Sequence, residues 1–156
     1  MHTLPASQNL ASKQRLSASV NVYLVLRRGE EILLSLRQNT GYYDGSYGLV
    51  SGHVEDGESA TAAMIREAKE EAALYISPIE LKLVHVMHRR TNRFNIDMFF
   101  ECCCWQGSPT NMEPLKCGQL DFYSMGRLPQ SLIPYIQKAL EKAYLHKQCY
   151  SEEGWQ

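Results

Sequence analysis

Three observations predict an α/β fold for this chain. Segments in which apolar residues alternate with period two recur between residues 18 and 125, a stretch of helical spacing at 59–73 interrupts them, and a second amphipathic stretch closes the chain at 132–144. Pieces of sheet with two intervening helices make an α/β sandwich.

The elements follow in order. Val20, Val22, Leu24 and Leu26 alternate on one side of segment 18–27, which reads as a half-buried strand. Arg28, Gly29 and Glu30 turn the chain into a second strand through Ile32, Leu34 and Leu36, and residues 38–47, rich in Gly, Tyr and Asp, read as a loop. The helix from about Ser59 to Ala73 carries mostly alanines at its apolar positions, small enough to let it approach a sheet closely. LKLVHVMH and FNIDMFFECCCW read as strands joined in a hairpin near Thr91 and Asn92, with Arg89, Arg90 and Arg93 around the turn. In the second of them Ile96, Met98, Phe100, Cys102 and Cys104 form one apolar face. A Gly, Pro and Asn loop at 107–114 precedes a strand from Leu120 to Met125, and Leu132, Ile133, Ile136, Leu140 and Tyr144 mark the last helix. The organisation expected is a polar, flexible N-terminal segment at 1–17, one domain at 18–147 and a polar C-terminal tail at 148–156.

Composition bounds the function. With 156 residues and 44% apolar content the chain suits one domain with a substantial core. A net charge of −1 provides no general attraction to nucleic acid or to an anionic membrane, so a polyanionic ligand must be met by a local patch or a metal. No apolar run approaches a membrane span, and residues 1–17 lack the apolar core of a secretory signal, so a cytoplasmic protein is expected. Of the five cysteines, Cys102, Cys103 and Cys104 are consecutive, which excludes the spaced pairs of a zinc site and reads as strand filling. A reduced compartment suits all five.

The most informative stretch is GHVEDGESATAAMIREAKEEAAL, residues 52–74. Residues three and four apart share a helix face, so Glu67 lies one turn from both Glu70 and Glu71. Three carboxylates so placed repel one another unless a cation intervenes, and oxygen-only ligands of this hard kind suit Mg²⁺, with Mn²⁺ as substitute. A solvated, charge-rich helix face is the bland alternative for the triplet alone. The wider spacing argues against it: Gly52, five residues, Glu58, seven residues, then Arg66-Glu67-x-x-Glu70-Glu71.

This spacing resembles the signature of the Nudix hydrolases, of MutT-like type. The resemblance implies a Nudix-type α/β/α sandwich with a mixed β-sheet between helices. It also implies that Glu67, Glu70 and Glu71 bind metal, that Arg66 orients Glu67, that Glu58 and Gly52 support the loop and helix, and that the backbone carbonyl of Ser51 helps hold metal. Ala68 and Ala73 depart from the pattern, which has a larger aliphatic residue and a glycine there, and Val50 and Ser51 replace a Pro and a Gly. With Ala73 in place of the late glycine, a left-handed helix end carries a steric penalty, so the helix is expected to continue or to turn differently.

Other candidates are less strongly specified. Glu113, in the segment Glu113-Pro114-Leu115-Lys116-Cys117, matches a loop where some MutT-like members carry a metal-binding or base glutamate; Glu70 and Glu71 compete for the role of base. Arg37 and Tyr47 are candidate substrate contacts, Tyr42 and Tyr43 are further aromatic candidates, and His53 reads as a bystander beside the box glycine. The function implied is Mg²⁺-dependent cleavage of a phosphoanhydride in a nucleoside di- or triphosphate or a related nucleoside diphosphate-linked compound. ADP-ribose, a nucleotide sugar or a dinucleotide is the alternative substrate class, and a non-catalytic nucleotide-sensing module is the alternative role. The expected partner is a small nucleotide, with no membrane and no stable nucleic-acid binding; a homodimer is allowed.

Overall fold

The computed structural model describes residues 13–156, so most of the expected N-terminal segment, residues 1–12, lies outside the described residues. The first strand, β1 (Ala18–Arg28), turns through Gly29 into β2 (Glu31–Arg37). Two short strands follow the tyrosine-rich loop, β3 (Tyr47–Gly48) and β4 (Val50–His53), and lead to α1 (Ala60–Ala72). After a single 3₁₀ turn come the hairpin strands β5 (Lys82–Arg90) and β6 (Phe94–Cys102), then β7 (Cys117–Ser124) and α2 (Pro134–Leu140). The last element is β8 (Tyr150–Glu153), inside the segment expected as a polar tail.

The strands form a mixed sheet. β1 runs parallel to β6 and antiparallel to β4; β5 lies antiparallel to β6 and parallel to β8; β2 pairs antiparallel with β1, β3 and β7. Helices cover both faces, giving the expected α/β/α sandwich. Under α1 lie Val22, Leu24, Leu26, Leu33, Val50, Phe100 and Cys102, packed against Ala63, Met64, Ala68 and Ala72 of the helix. Under α2 lie Tyr23, Val25, Ile32, Leu34, Met87 and Phe99, packed against Ile133, Tyr135, Ile136, Ala139 and Leu140. Each such fully buried large apolar side chain contributes roughly 1.5–3 kcal/mol of transfer free energy.

This two-sided core corrects the reading of β1 as half-buried. Val22 through Leu26 are all buried because β1 is a central strand with a helix over each face. The cysteine run is corrected too: Cys102 ends β6 in the core, whereas Cys103 and Cys104 lie beyond the strand and are exposed. β7 begins at Cys117 rather than Leu120, because pairing with β2 continues to Arg37 opposite Cys117. β8 forms where polarity argued for a tail: an edge strand needs backbone pairing with only one neighbour, and its side chains are half-buried at most.

Helix α1 has a side-chain cap, with Ser59 Oγ accepting from the Ala62 N–H at 3.1 Å. Its other end contradicts the expectation that Ala73 would alter the turn. Ala73 adopts the left-handed conformation, φ 55° and ψ 33°, its N–H donates to the Lys69 carbonyl, and Leu74 is steered into the core. The chain keeps a glycine geometry without the glycine, at a steric cost. Ala73→Gly is therefore expected to stabilise the protein by ~0.5–1 kcal/mol in denaturant unfolding, with an unchanged slope.

Candidate active site

Helix α1 and strand β4 approach so closely that a Cβ at residue 52 would overlap the Glu67 carboxylate, which explains the glycine. Arg66 holds this junction. Its Nε and Nη2 donate to the two oxygens of Glu58 at 3.1 and 2.7 Å, its Nη2 donates also to the His53 carbonyl at 3.1 Å, and its Nη1 reaches Glu67 at 2.7 Å and Glu70 at 3.3 Å. One guanidinium thus ties the loop before α1, the end of β4 and the acidic helix face together.

Ser51 meets Glu71. Its N–H donates to Glu71 Oε2 at 3.1 Å. Val54 and Val20 are hydrogen-bonded across β4 and β1, and antiparallel pairing alternates, so Ser51 opposite Tyr23 sits in a non-hydrogen-bonded pair. Both its backbone groups therefore point away from β1, leaving the carbonyl on the same open edge as the N–H.

Glu113 is brought in by the loop after β6. The Thr110 and Met112 N–H groups donate to the carbonyls of Ala72 and Glu71, docking the loop on the last turn of α1. Asn111 fixes the residues that follow: its Oδ1 accepts from the Glu113 N–H at 3.1 Å, and its Nδ2 donates to the Cys117 carbonyl at 2.7 Å. Ser51, Gly52, Arg66, Glu67, Glu70, Glu71, Glu113 and Arg37 line one cleft of about 870 Å³. Arg37 is anchored by donating to the Tyr42 carbonyl at 2.8 Å, and Tyr42 lines the cleft as well.

Tyr47 does not line the cleft; its ring packs on Tyr123 at 5.1 Å and its hydroxyl bonds Gln119 and Tyr123, because its position in β3 directs it toward β7. Glu67, Glu70 and Glu71 line the same cleft, and among the described residues no three Asp, Glu, His or Cys side chains are gathered tightly enough to enclose an ion. Glu67 and Glu70 turn to Arg66 and Glu71 turns to Ser51, the donors nearest to them.

Another wall of the cleft is absent from the sequence reading. Asn21, Tyr23, Arg89, Asn95 and Tyr135 line it, with Asp97 buried directly behind. Asn21 Nδ2 donates to Asp97 Oδ1 at 2.7 Å, and His53 Nδ1 lies 2.6 Å from Asn21 Oδ1. A signal was present: Asn21 interrupts an apolar strand, and Asn95 and Asp97 occupy alternate positions on the face they share with Phe99.

A model of the NUDIX domain family matches residues 15–141. The chain belongs to the NUDIX family. Two curated relatives are called NAD-capped RNA hydrolase NudC: that of Pseudomonas putida (strain W619) is 36% identical over 72 residues, and that of Pseudomonas entomophila (strain L48) is 35% identical over 72 residues. Each match covers 46% of this chain and 25% of the relative, so the chain spans about a quarter of those proteins' length. Among solved structures, the MutT NUDIX hydrolase from Burkholderia pseudomallei superposes with a TM-score of 0.74 at 24% identity, over 80% of this chain and 97% of that one. The E. coli ORF135 protein gives a TM-score of 0.71 at 21% identity, over 84% and 91%. These two structures share the fold.

The electrostatics of this NUDIX domain single out Glu71. Burial, the neighbouring Glu67 charge and Glu113 push its carboxyl up to about 8, against the opposing Ser51 N–H bond. Burial also raises Glu67, although Arg66 pulls the other way. A carboxyl whose folded pKa lies above its unfolded one destabilises the fold when it ionises. The contribution is fully present below about pH 4.5 and is lost as pH rises to about 8, at a cost on the order of several kcal/mol. In a chelator, the wild type is expected to lose thermal stability across this window, and Glu71→Gln to remove most of the slope, while the two melt alike at pH 4 and below. Parallel pH profiles in thermal scans would refute the assignment.

Proposed function

We propose that this chain is a Mg²⁺-dependent pyrophosphohydrolase that cleaves a phosphoanhydride in a nucleoside triphosphate or a related nucleoside diphosphate-linked compound. The observation that carries the reading is Glu71, a largely buried carboxyl with no ion-pair partner among the described residues, beside Glu67 and Glu113 in a cleft large enough for a nucleotide. The donor set fits a hard divalent cation: Glu67, Glu70, Glu71 and the Ser51 carbonyl supply only oxygens. Such a cation, when bound, neutralises phosphate oxygens, acidifies the attacking water and stabilises the leaving phosphate.

The chain's own residues do the rest. Arg66, with Glu58 behind it, fixes the helix face that would hold the cation. Arg37 and Glu113 both line the cleft; in this reading Arg37 meets a phosphate oxygen and Glu113 takes a proton from the attacking water at its carboxylate. No helix among the described residues is long and apolar enough to cross a membrane.

A second substrate class has its own support. The matched relatives are named for an NAD cap, which favours a dinucleotide-type diphosphate over 72 residues of similarity. A sensing module without chemistry is disfavoured, because a buried Glu71 crowded by Glu67 and Glu113 serves no purpose in a retired site.

Mass spectrometry of products from nucleoside triphosphates, nucleotide sugars and dinucleotides, with Mg²⁺, tests the reading. Turnover of one class, absent in Glu71→Gln, is expected; intact ligands throughout would overturn it. Glu113→Gln is expected to slow turnover about tenfold or more with little loss of fold, and an unaltered rate removes Glu113 from the mechanism.

A further inference from the structure

The wall built from β5, β6 and α2 carries a charged pair that hydrolysis does not use. Arg89 is 6% exposed and Asp97 fully buried. Arg89 donates from Nε to Asp97 Oδ2 at 2.5 Å and from Nη2 to Oδ1 at 3.3 Å, and its guanidinium lies 3.8 Å above the Tyr135 ring. Asp97 is held in turn by Asn21 Nδ2 and the Tyr23 hydroxyl. Four elements therefore fix the plane of one guanidinium.

These bonds use two of its five N–H groups. Nη1 has no acceptor among the described residues, yet the described polar side-chain atoms that are both sealed and unpartnered are Arg27 Nε and His88 Nε2. Nη1 of Arg89 thus remains open to the cleft that Arg89 lines. A pair serving the fold alone would be matched or bettered by apolar residues of similar volume, and has no reason to keep donors facing a ligand space.

The pair's charge says what it receives. Asp97 cancels Arg89, so a phosphate gains little here, whereas a neutral acceptor meets oriented donors in a half-dry site. A ring carbonyl is such an acceptor, and a guanidinium fork matches adjacent acceptors such as O6 and N7 of guanine; adenine offers an amine in place of the carbonyl, donor against donor.

We infer that Arg89, oriented by Asp97, is a specificity-determining residue of this cleft and selects a substrate whose base presents a carbonyl over one bearing adenine. The inference rests on the proposed nucleotide reading of the site. Arg89 acts on the end of the substrate away from the phosphates that the α1 carboxylates serve.

The test compares GTP and UTP with ATP in the wild type, in Arg89→Lys, which keeps a charge on Asp97 but loses the fork, and in the double variant Arg89→Gln/Asp97→Asn, which removes both charges together. Circular dichroism and melting confirm that each variant is folded. The wild type is expected to favour the carbonyl-bearing bases in kcat/KM by about tenfold or more, chiefly through KM, and the preference to collapse in a folded variant. Inhibition by inorganic pyrophosphate, which has no base, should change little. A wild type without the preference, or a folded variant that keeps it, overturns the inference. If no nucleotide is turned over, the hydrolase reading fails separately, and calorimetric binding of GMP and AMP decides this one: tighter GMP binding lost in Arg89→Lys supports it, and equal binding overturns it.

Discussion

The site depends on the way Arg66 pins α1 to β4. A helix packed on a sheet through alanines slides easily, since Ala63, Ala68 and Ala72 make shallow ridges. Arg66 removes that freedom by joining Glu58, His53, Glu67 and Glu70. Gly52 completes the arrangement by letting the Glu67 side chain lie against bare backbone. With helix and strand so fixed, the Ser51 N–H and Glu71 meet, and the docked loop carries Glu113 into the same space. An ion pair of this sort is rarely a large net source of stability; its value here is registry.

The sheet serves two walls of the cleft with one strand. β1 is buried on both faces, and near its start it carries Asn21 instead of an apolar side chain. There the strand leaves the shelter of the helices, and polar groups satisfy one another: Asn21 with Asp97 and His53, Asp97 with Arg89, Arg89 over Tyr135. A buried polar network costs least when every member has a partner, and the donor left over is the one that faces the cleft.

Local rules made part of this architecture legible. Alternation and helical spacing located the long strands, the hairpin and both helices, and the spacing of Gly52, Glu58, Arg66, Glu67, Glu70 and Glu71 marked the acidic helix because all of these lie within 20 residues of one another. What stayed hidden is non-local. Tyr47 looked like a substrate contact from its neighbourhood in the chain, yet β7, 70 residues on, claims its ring. Arg89 looked like one of several surface arginines at a turn; only the pairing of β6 with both β5 and β1 reveals the carboxylate and amide that draw it inward. Ala73 shows a propensity overruled, since burying Leu74 outweighs a strained alanine.

β8 has a further consequence. The β5 edge would otherwise present a row of unpaired N–H and C=O groups, an invitation to pair with another copy of the chain. Tyr150–Glu153 occupies that edge from Val86 to Arg89, and Trp155 fastens it by donating to the His88 carbonyl and stacking on Phe94. This short charged strand, with Glu152 and Glu153 on it, acts as a guard against edge-to-edge aggregation while bracing the backbone from which Arg89 projects.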